Sequence, residues 1–208
     1  MTDVRTIRCV AIGDGYVGKT SLLSRLSGKP MNEYYLSTIF ENSKVEIIHK
    51  NENYELFLID TAGQEDYNFL RTQSYSYGDL FLLCYSVDNM DSFINIREMW
   101  LPEVRKCKDK AKFLMVGLKQ DLRSDPETID RLNISKKIFV SHGDAENMAQ
   151  KLGIPHIECS SKEQENFDHI RNLIVELGKM SDTSESDSHL QECSIISVIK
   201  RVLCCNEY

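Results

Sequence analysis

A glycine-rich segment near the start of the chain carries the clearest chemical pattern. Residues 13–20 read Gly-Asp-Gly-Tyr-Val-Gly-Lys-Thr, which matches G-x-x-x-x-G-K-[ST] at every fixed position. Glycines let a backbone curl until its N–H groups point at phosphate oxygens. Lys19 adds a positive charge for the β- and γ-phosphates, and Thr20 offers a hydroxyl to Mg²⁺. The pattern predicts a binding site for a nucleoside triphosphate and Mg²⁺.

A glycine turn that happens to precede Lys19 and Thr20 is the alternative interpretation. The apolar stretch Ile7–Ile12 predicts a buried strand directly before the loop, and Lys19–Leu26 predicts a helix that starts within it. A strand before the loop and a helix after it are the context that the motif requires. The loop does not say which nucleotide is bound, and an ATPase or a small-molecule kinase would also fit it.

A second polar segment, residues 60–64, reads Asp-Thr-Ala-Gly-Gln and follows another predicted strand. A carboxylate at the end of a strand, here Asp60, can hold Mg²⁺ through water. Gly63 can offer its N–H to a γ-phosphate, and Gln64 can orient an attacking water. A strand-end turn with incidental polar residues is the alternative. Beside the phosphate loop, the segment indicates phosphoryl transfer to water.

Short apolar runs and amphipathic runs alternate along the chain and predict the scaffold for these residues. Such alternation is typical of an α/β fold, here with a six-stranded, mostly parallel sheet and helices on both faces. Four residues on one helical stripe predict a last helix: Phe167, Ile170, Ile174 and Leu177. The other predicted elements are a hairpin of strands Lys44–His49 and Tyr54–Asp60, a buried strand Leu80–Val87, a helix Asp91–Cys107 capped by Asp91 or Ser92, and strands Phe113–Gly117 and His156–Cys159.

Size and composition fit one domain and a tail. The chain has 208 residues, of which 41% are hydrophobic, and its net charge of −7 argues against nucleic acid as a partner. A change in composition at Met180 predicts a domain over residues 1–180 and a flexible tail over residues 181–208. No signal peptide or membrane span is predicted. Cys9, Cys84 and Cys159 lie in apolar runs and are expected as reduced core thiols.

Together, several motifs closely resemble the Rho/Rac branch of the Ras superfamily of small GTPases. They are GDGYVGKTSLL, DTAGQEDY, Glu41-Asn42, Leu83-Cys84-Tyr85-Ser86 and Glu158-Cys159-Ser160, and the resemblance runs from about Arg5 to Met180. It implies the P-loop GTPase fold, also called the G domain. It also implies binding of GTP and GDP with Mg²⁺, and hydrolysis of GTP by a molecular switch in signal transduction. Control of the actin cytoskeleton is a further family expectation.

The resemblance also implies individual roles. Catalysis would rest on Gln64, Gly15 and Lys19, and Mg²⁺ would be held by Thr20, Thr38 and, through water, Asp60. The implied nucleotide-binding residues are Gly13, Asp14, Gly15, Tyr16, Val17, Gly18, Lys19, Thr20, Ser21, Tyr35, Thr38, Asp60, Gly63, Leu118, Lys119, Asp121, Ser160, Ser161 and Lys162.

Partners would read two switch segments. Effector proteins would contact residues 33–43 and 63–77, where the first switch contains Thr38 and the second spans Gly63–Tyr75. Exchange factors and GTPase-activating proteins would control the cycle, the latter by supplying an arginine. Residues 124–137 resemble the insert helix of the Rho branch, and an ordinary charged surface helix is a compatible interpretation.

Three positions depart from the family pattern. Leu118 stands where Asn or Thr is usual in the guanine-specificity loop, either as a lost polar contact or as a tolerated apolar residue. Met31 replaces a phenylalanine that packs against the base, which together with Leu118 predicts fast nucleotide release. Ile59 replaces an aromatic residue and would either alter the choice of partner or pack the strand.

The tail leaves several possibilities open. Cys205 has the spacing of a prenylation site, but Asn206 and Glu207 fit it poorly; Cys204 and Cys205 are also candidates for palmitoylation. A docking of this apolar end on the domain or on a partner is the alternative. We expect a cytoplasmic protein with peripheral association to membranes.

The rival function is a nucleotide-bound interaction module with little turnover, which Leu118 and Met31 favour. The five histidines lack the spacing of metal ligands.

Overall fold

A single twisted sheet forms the centre of the molecule. The computed structural model describes residues 4–29, 40–61, 68–164 and 166–179. In this part of the chain the strand order is β2-β3-β1-β4-β5-β6 in a six-stranded sheet. Only the β2–β3 ladder is antiparallel among the described pairs, and the other neighbours run parallel. The strands are β1 (Arg5–Ile12), β2 (Phe40–His49), β3 (Glu52–Thr61), β4 (Leu80–Ser86), β5 (Lys112–Leu118) and β6 (His156–Glu158).

Helices connect the parallel strands and cover both faces of the sheet. In the described residues they are α1 (Lys19–Leu26), α2 (Asn68–Tyr75), α3 (Met90–Asn95), α4 (Leu101–Cys107), α5 (Pro126–Ile134), α6 (His142–Leu152) and α7 (Phe167–Lys179). A π-helical turn, Ile96–Trp100, joins α3 to α4, and a 3₁₀ turn, Gln120–Arg123, follows β5. The predicted six-stranded, mostly parallel sheet with helices on both faces is confirmed.

Two apolar clusters lie on opposite faces of the sheet, because alternate strand residues point to opposite sides. In β4, Leu82 and Cys84 belong to one cluster, while Leu83 and Tyr85 belong to the other. Buried residues of α1 and α7 fill the first cluster, and residues of α2, α3, α4 and α6 fill the second. Parallel strands buried on both faces need continuous apolar sequences, and all seven residues of β4 are buried.

The β2–β3 hairpin is tighter than the sequence indicated. The predicted four-residue turn is a two-residue one, because His49 pairs with Glu52 and the strands continue to that pair. Lys50 and Asn51 both have positive φ, at 50° and 64°. A two-residue turn with two positive φ angles has a backbone twist that matches that of the flanking strands, which explains the longer ladder.

The segment from Met90 to Cys107 corrects one prediction and refines another. The N-cap is Asn89, whose side chain accepts a hydrogen bond from the Ser92 N–H at 3.2 Å, so the predicted caps Asp91 and Ser92 were wrong. The helix also contains the π turn, which falls directly before Pro102. Proline has no N–H to donate, and in a regular α-helix the ring of Pro102 would clash with the carbonyl of Glu98.

Two more helices bear on the predictions. Helix α6 was not predicted; its N-cap Ser141 accepts a hydrogen bond from the Asp144 N–H, and it ends at Gly153. Helix α5 lies within the expected range 124–137 and begins after its N-cap Asp125. The predicted core thiols Cys9, Cys84 and Cys159 are buried and free. None of the helices described is long and apolar enough to cross a membrane.

Gly178 in α7 tests the contact between this helix and the sheet. A Cβ at Gly178 would lie 2.6 Å from Ile7 Cδ1 and 2.9 Å from Ile7 Cγ2. We expect Gly178→Ala to lower the free energy of unfolding by about 1–3 kcal/mol, because this core position cannot take another methyl group. Gly143→Ala in α6 is the control, since the nearest atom to its Cβ is 4.0 Å away. Urea unfolding of both variants measures the difference, and equal stabilities would contradict this packing.

Candidate nucleotide-binding site

The phosphate loop follows β1, at the point where the order of the parallel strands reverses. Strand β1 pairs with β3 on one side and β4 on the other, so the loop after it lies in the crevice between them. Gly13 has φ +146°, and a Cβ there would lie 2.1 Å from the Cys84 carbonyl oxygen. Gly18, at φ +112°, is the N-cap of α1. Any residue with a side chain at position 13 would clash with the backbone of β4.

Lys19 closes this loop from within. Its Nζ donates hydrogen bonds to the carbonyls of Gly13 at 2.8 Å and Asp14 at 2.7 Å. The residue is 6% exposed, and burial lowers the pKa of Lys19 from its ordinary value. An ammonium held here, beside the start of α1, can face an anion that approaches the loop.

Thr20 and Asp60 meet at the same edge of the sheet. The Thr20 hydroxyl donates to Asp60 Oδ2 at 2.6 Å, and Asp60 is 3% exposed. Thr61, the last residue of β3, donates from its hydroxyl to the Ala11 carbonyl at 2.6 Å and so ties the end of β3 to β1. The hydroxyl and the carboxylate come from distant parts of the sequence and are brought together by the β1–β3 pairing.

The donors at this edge fit Mg²⁺ held jointly with phosphates. Mg²⁺ prefers oxygen ligands and usually takes one or two from the protein, keeping waters and phosphate oxygens for the rest. The Thr20 hydroxyl and the Asp60 carboxylate supply such oxygens. No group of three or more His, Cys, Asp and Glu side chains in the described residues could hold a metal ion. The Thr20 and Asp60 oxygens fit a Mg²⁺ ion that takes its remaining ligands from water and phosphate.

Two further loops lie beside the phosphate loop, after β5 and β6. Lys119, in the left-handed conformation with φ 61°, donates from Nζ to the Tyr16 carbonyl at 2.9 Å. This hydrogen bond ties the loop after β5 to the phosphate loop. The Ser160 hydroxyl donates to Asp121 Oδ1 at 2.7 Å, and the Gln120 N–H donates to the Cys159 carbonyl. These bonds hold Asp121 in place between the two loops.

Leu118 is buried, with 2% of its side chain exposed. It belongs to the same apolar cluster as Val17 of the phosphate loop. Its Cδ1 lies 3.6 Å from the position of a Cβ on Gly18. Of the two predicted readings, the structure favours an apolar residue that supports the phosphate loop by packing. Ile59 is also buried, at 4%, which favours packing of the strand over a role at the surface.

Several other predicted residues are described, and they differ in exposure. Ser21 is partly buried, and Lys162 is exposed. The Ser161 carbonyl accepts a hydrogen bond from Arg25 Nε at 2.9 Å. A Cβ on Gly15 would meet no described atom within 4 Å, so packing within this part of the chain does not oppose a side chain there.

The predicted residues of the two switches and the tail fall mostly outside the described part of the chain. Position 31 and the tail beyond Lys179 are also outside it, so predictions about them stay predictions. The site residues concerned are Tyr35, Thr38, Gly63, Gln64, Cys204 and Cys205.

An ionic cluster around the buried Glu158 lies next to the loops that follow β5 and β6, and it was not predicted. Glu158 is 6% exposed and pairs with Arg123, whose Nη2 lies 2.7 Å from Glu158 Oε1. The Tyr85 hydroxyl lies 3.0 Å from His156 Nε2 and 3.4 Å from the same carboxylate. His142 Nδ1 approaches Glu158 Oε1 at 3.6 Å. The sequence did hold a signal, because Arg123 and Glu158 each stand two positions from a predicted base-loop residue, Asp121 or Ser160.

Comparison with known families decides among the nucleotide-binding classes. The model of the Ras family matches residues 8–179 of the 208-residue chain. The chain belongs to the Ras family. Membership implies the P-loop GTPase fold, binding of guanine nucleotides and the function of a small GTPase switch. It excludes the ATPase and small-molecule kinase that the phosphate loop alone left open.

The histidine in the ionic cluster gives the stability a pH dependence. Burial lowers the pKa of His156 to about 4, from an ordinary value near 6.5. Because the unfolded chain binds this proton more tightly, its contribution to stability is complete above about pH 6.5 and is lost as the pH falls toward 4. We expect wild type to lose on the order of 2 kcal/mol more stability than His156→Gln across this interval. Urea unfolding at several pH values measures it, and parallel profiles would contradict the assignment.

Proposed function

We propose that this protein is a Rho-like GTPase that binds GTP and GDP with Mg²⁺, hydrolyses GTP and signals through its two switch segments. One observation supports this most directly: Lys19, the Thr20–Asp60 pair and Asp121 all lie at the carboxyl edge of the sheet. This edge therefore offers separate groups for phosphates, for Mg²⁺ and for a base. Family membership supplies the guanine nucleotide.

Specificity for guanine would rest on Asp121. A carboxylate accepts hydrogen bonds from the donor edge of guanine at N1 and N2 and repels the corresponding edge of adenine. The Ser160 hydroxyl, which donates to Asp121 Oδ1, would fix the orientation of this carboxylate. The stem of Lys119 would cover one face of the base, since its Nζ is already held by the Tyr16 carbonyl.

Hydrolysis would depend on residues around the γ-phosphate. Lys19 would stabilise the negative charge of the β- and γ-phosphates, and Gln64 would orient the attacking water. Thr20, Thr38 and, through water, Asp60 would hold Mg²⁺, which neutralises the charge that develops on the phosphate oxygens. Gly15 would leave the space near the γ-phosphate open. Turnover would be slow without a partner and faster when a GTPase-activating protein inserts an arginine.

The assignment to the Rho branch is supported by the motifs and by α5. This helix, Pro126–Ile134, lies in the range where the sequence resembles the Rho insert. Effectors would contact residues 33–43 and 63–77, and control of the actin cytoskeleton would follow from a Rho-like role. Lipidation of Cys204 or Cys205, and with it a peripheral membrane location, stays a prediction, as does the division at residue 180.

Loss of the glutamine tests the hydrolytic part of the proposal. We expect Gln64→Leu to slow single-turnover GTP hydrolysis roughly ten-fold or more, because no side chain would orient the water. Gln73→Leu, an exposed position on α2, is the matched control and should hydrolyse GTP at the wild-type rate. Phosphate release from a preloaded GTP complex measures both. Equally fast hydrolysis by wild type and Gln64→Leu would contradict this role of Gln64, and negligible phosphate release by wild type would favour an interaction module with little turnover.

Nucleotide release tests the grip on the base. Leu118 is buried against the phosphate loop and makes no polar contact through its side chain, and Met31 lacks an aromatic ring, so we expect fast release of GDP. Met31→Phe should slow release several-fold, corresponding to about 1 kcal/mol of ring packing. Dissociation of a fluorescent GDP analogue with Mg²⁺, chased with GTP, GDP or ATP, measures the rate and the specificity. Slow release by wild type would rule the idea out, and displacement by ATP would overturn the guanine assignment.

A further inference from the structure

Asp14, the second residue of the phosphate loop, is held by two donors from outside the loop. Its Oδ1 accepts a hydrogen bond from the Trp100 indole N–H at 2.7 Å, and its Oδ2 accepts one from Asn95 Nδ2 at 2.8 Å. On its backbone, the Asp14 carbonyl accepts from Lys19 Nζ at 2.7 Å. Both carboxylate oxygens and the carbonyl of this residue are thus engaged, so its position is fixed from two sides.

The π turn explains how two donors reach one carboxylate. Asn95 and Trp100 are five positions apart, and in an α-helix such residues point about 140° away from each other. In the π turn the backbone bonds span five residues, as the Leu101 N–H donates to the Ile96 carbonyl. Residues five apart then lie close to one face of the helix. The wider turn therefore brings the amide and the indole to the same side, where Asp14 lies.

Trp100 also contacts α2, the helix that lies within the predicted second switch segment. The Arg71 guanidinium of α2 lies over the indole ring, 4.8 Å from its centroid. Arg71 donates two hydrogen bonds to Glu103 of α4, from Nε at 3.0 Å and from Nη2 at 3.2 Å. The Tyr75 hydroxyl donates to the same carboxylate at 2.6 Å.

Burial makes these contacts sensitive to small displacements. Trp100 is 1% exposed and Arg71 is 2% exposed. A guanidinium held against a ring away from water gains more from that contact than an exposed one, and an ion pair that loses one partner there is costly. The indole N–H of Trp100 thus binds the phosphate loop, and the face of its ring contacts Arg71 of α2.

We propose that Asn95 and Trp100 are positioning residues for the phosphate loop, and that Trp100 is the shared contact through which the loop and α2 respond to each other. The proposal rests on the proposed nucleotide binding. A change in the loop at the β- and γ-phosphates moves Asp14, which moves the indole N–H and, with it, the surface on which Arg71 rests. A change in α2 acts on the loop by the same route in reverse.

Trp100→Phe tests the positioning role, because it keeps an aromatic ring for Arg71 and removes the N–H that Asp14 accepts. We expect GDP to dissociate about five- to ten-fold faster, as one hydrogen bond to a carboxylate is lost. Asn95→Leu, which removes the other donor, should act in the same direction. Tyr54→Phe is the matched control: it removes a hydroxyl from an aromatic residue that is 1% exposed and lies near the start of β3, at the opposite end from Asp60.

A double-mutant cycle separates positioning from a general loss of stability. If Trp100 acts through Asp14, Trp100→Phe should cause no further acceleration of GDP release in an Asp14→Ala background. Additive effects would overturn the positioning role. Wild-type release rates in both Trp100→Phe and Asn95→Leu would overturn it as well.

Fluorescence tests the coupling, and its first measurement uses the unmodified protein. Trp100 is the single tryptophan of the chain. We expect its emission to change when GDP is replaced by a non-hydrolysable GTP analogue, and the change to shrink in Arg71→Lys, which loses the planar group over the ring. Identical emission in both nucleotide states, with binding confirmed, would overturn the coupling. Absence of guanine-nucleotide binding by wild type would instead overturn the proposed function.

Discussion

The buried ammonium of Lys19 is the interaction on which the functional edge of the sheet depends. A cation removed from water is costly unless polar groups surround it. Here the carbonyls of Gly13 and Asp14 do so, and they can only because the loop curls back over the lysine. That curl requires a residue without a side chain where β1 passes the Cys84 carbonyl. The buried lysine, the glycine at position 13 and the close approach of the chain to β4 therefore depend on one another.

The predicted base side of the site depends on a different kind of interaction. The Ser160 hydroxyl donates to Asp121, and the Arg123–Glu158 ion pair joins residues that stand two positions from each of them in the sequence. The ion pair connects the loop after β5 with the end of β6, so the two base loops are tied by charges as well as by backbone hydrogen bonds. The buried side chain of Leu118 contributes apolar packing, so the polar contacts between these two loops come from the other residues.

The sequence patterns predicted the helix bounds that depend on residues close together in the chain, and missed features that depend on tertiary packing. The bounds of α1 agree with prediction because the loop motif places the start of the helix at Lys19 and the amphipathic pattern carries it to Leu26. The cap at Asn89 was missed because three neighbouring residues can all cap, and tertiary packing chooses among them. Helix α6 was missed because only Ala145 and Ala149 are buried in it, and alanines give a weak apolar pattern.

In the candidate site, too, residues in motifs were predicted and contacts that depend on the fold were not. Lys19, Thr20 and Asp60 were predicted from motifs whose spacing reflects their chemistry, and the structure brings them together. The partners of Asp14 could not be predicted, because they depend on a π turn that no periodicity of the sequence reveals. The packing of Leu118 against Gly18 likewise depends on the distance between the end of β5 and the phosphate loop.

The short turn of the β2–β3 hairpin has a consequence for the register of the two strands. The ladder runs without interruption from His49 and Glu52 at the turn to Phe40 and Thr61 beside the site. Because side chains alternate between faces, a shift of the β2–β3 register by one residue would exchange the faces of the entire β2 strand. Lys50 and Asn51 are exposed, but both adopt positive φ, a conformation that favours Asn, Asp or Gly. The register set at the turn therefore decides the face of each β2 residue along a ladder about 30 Å long.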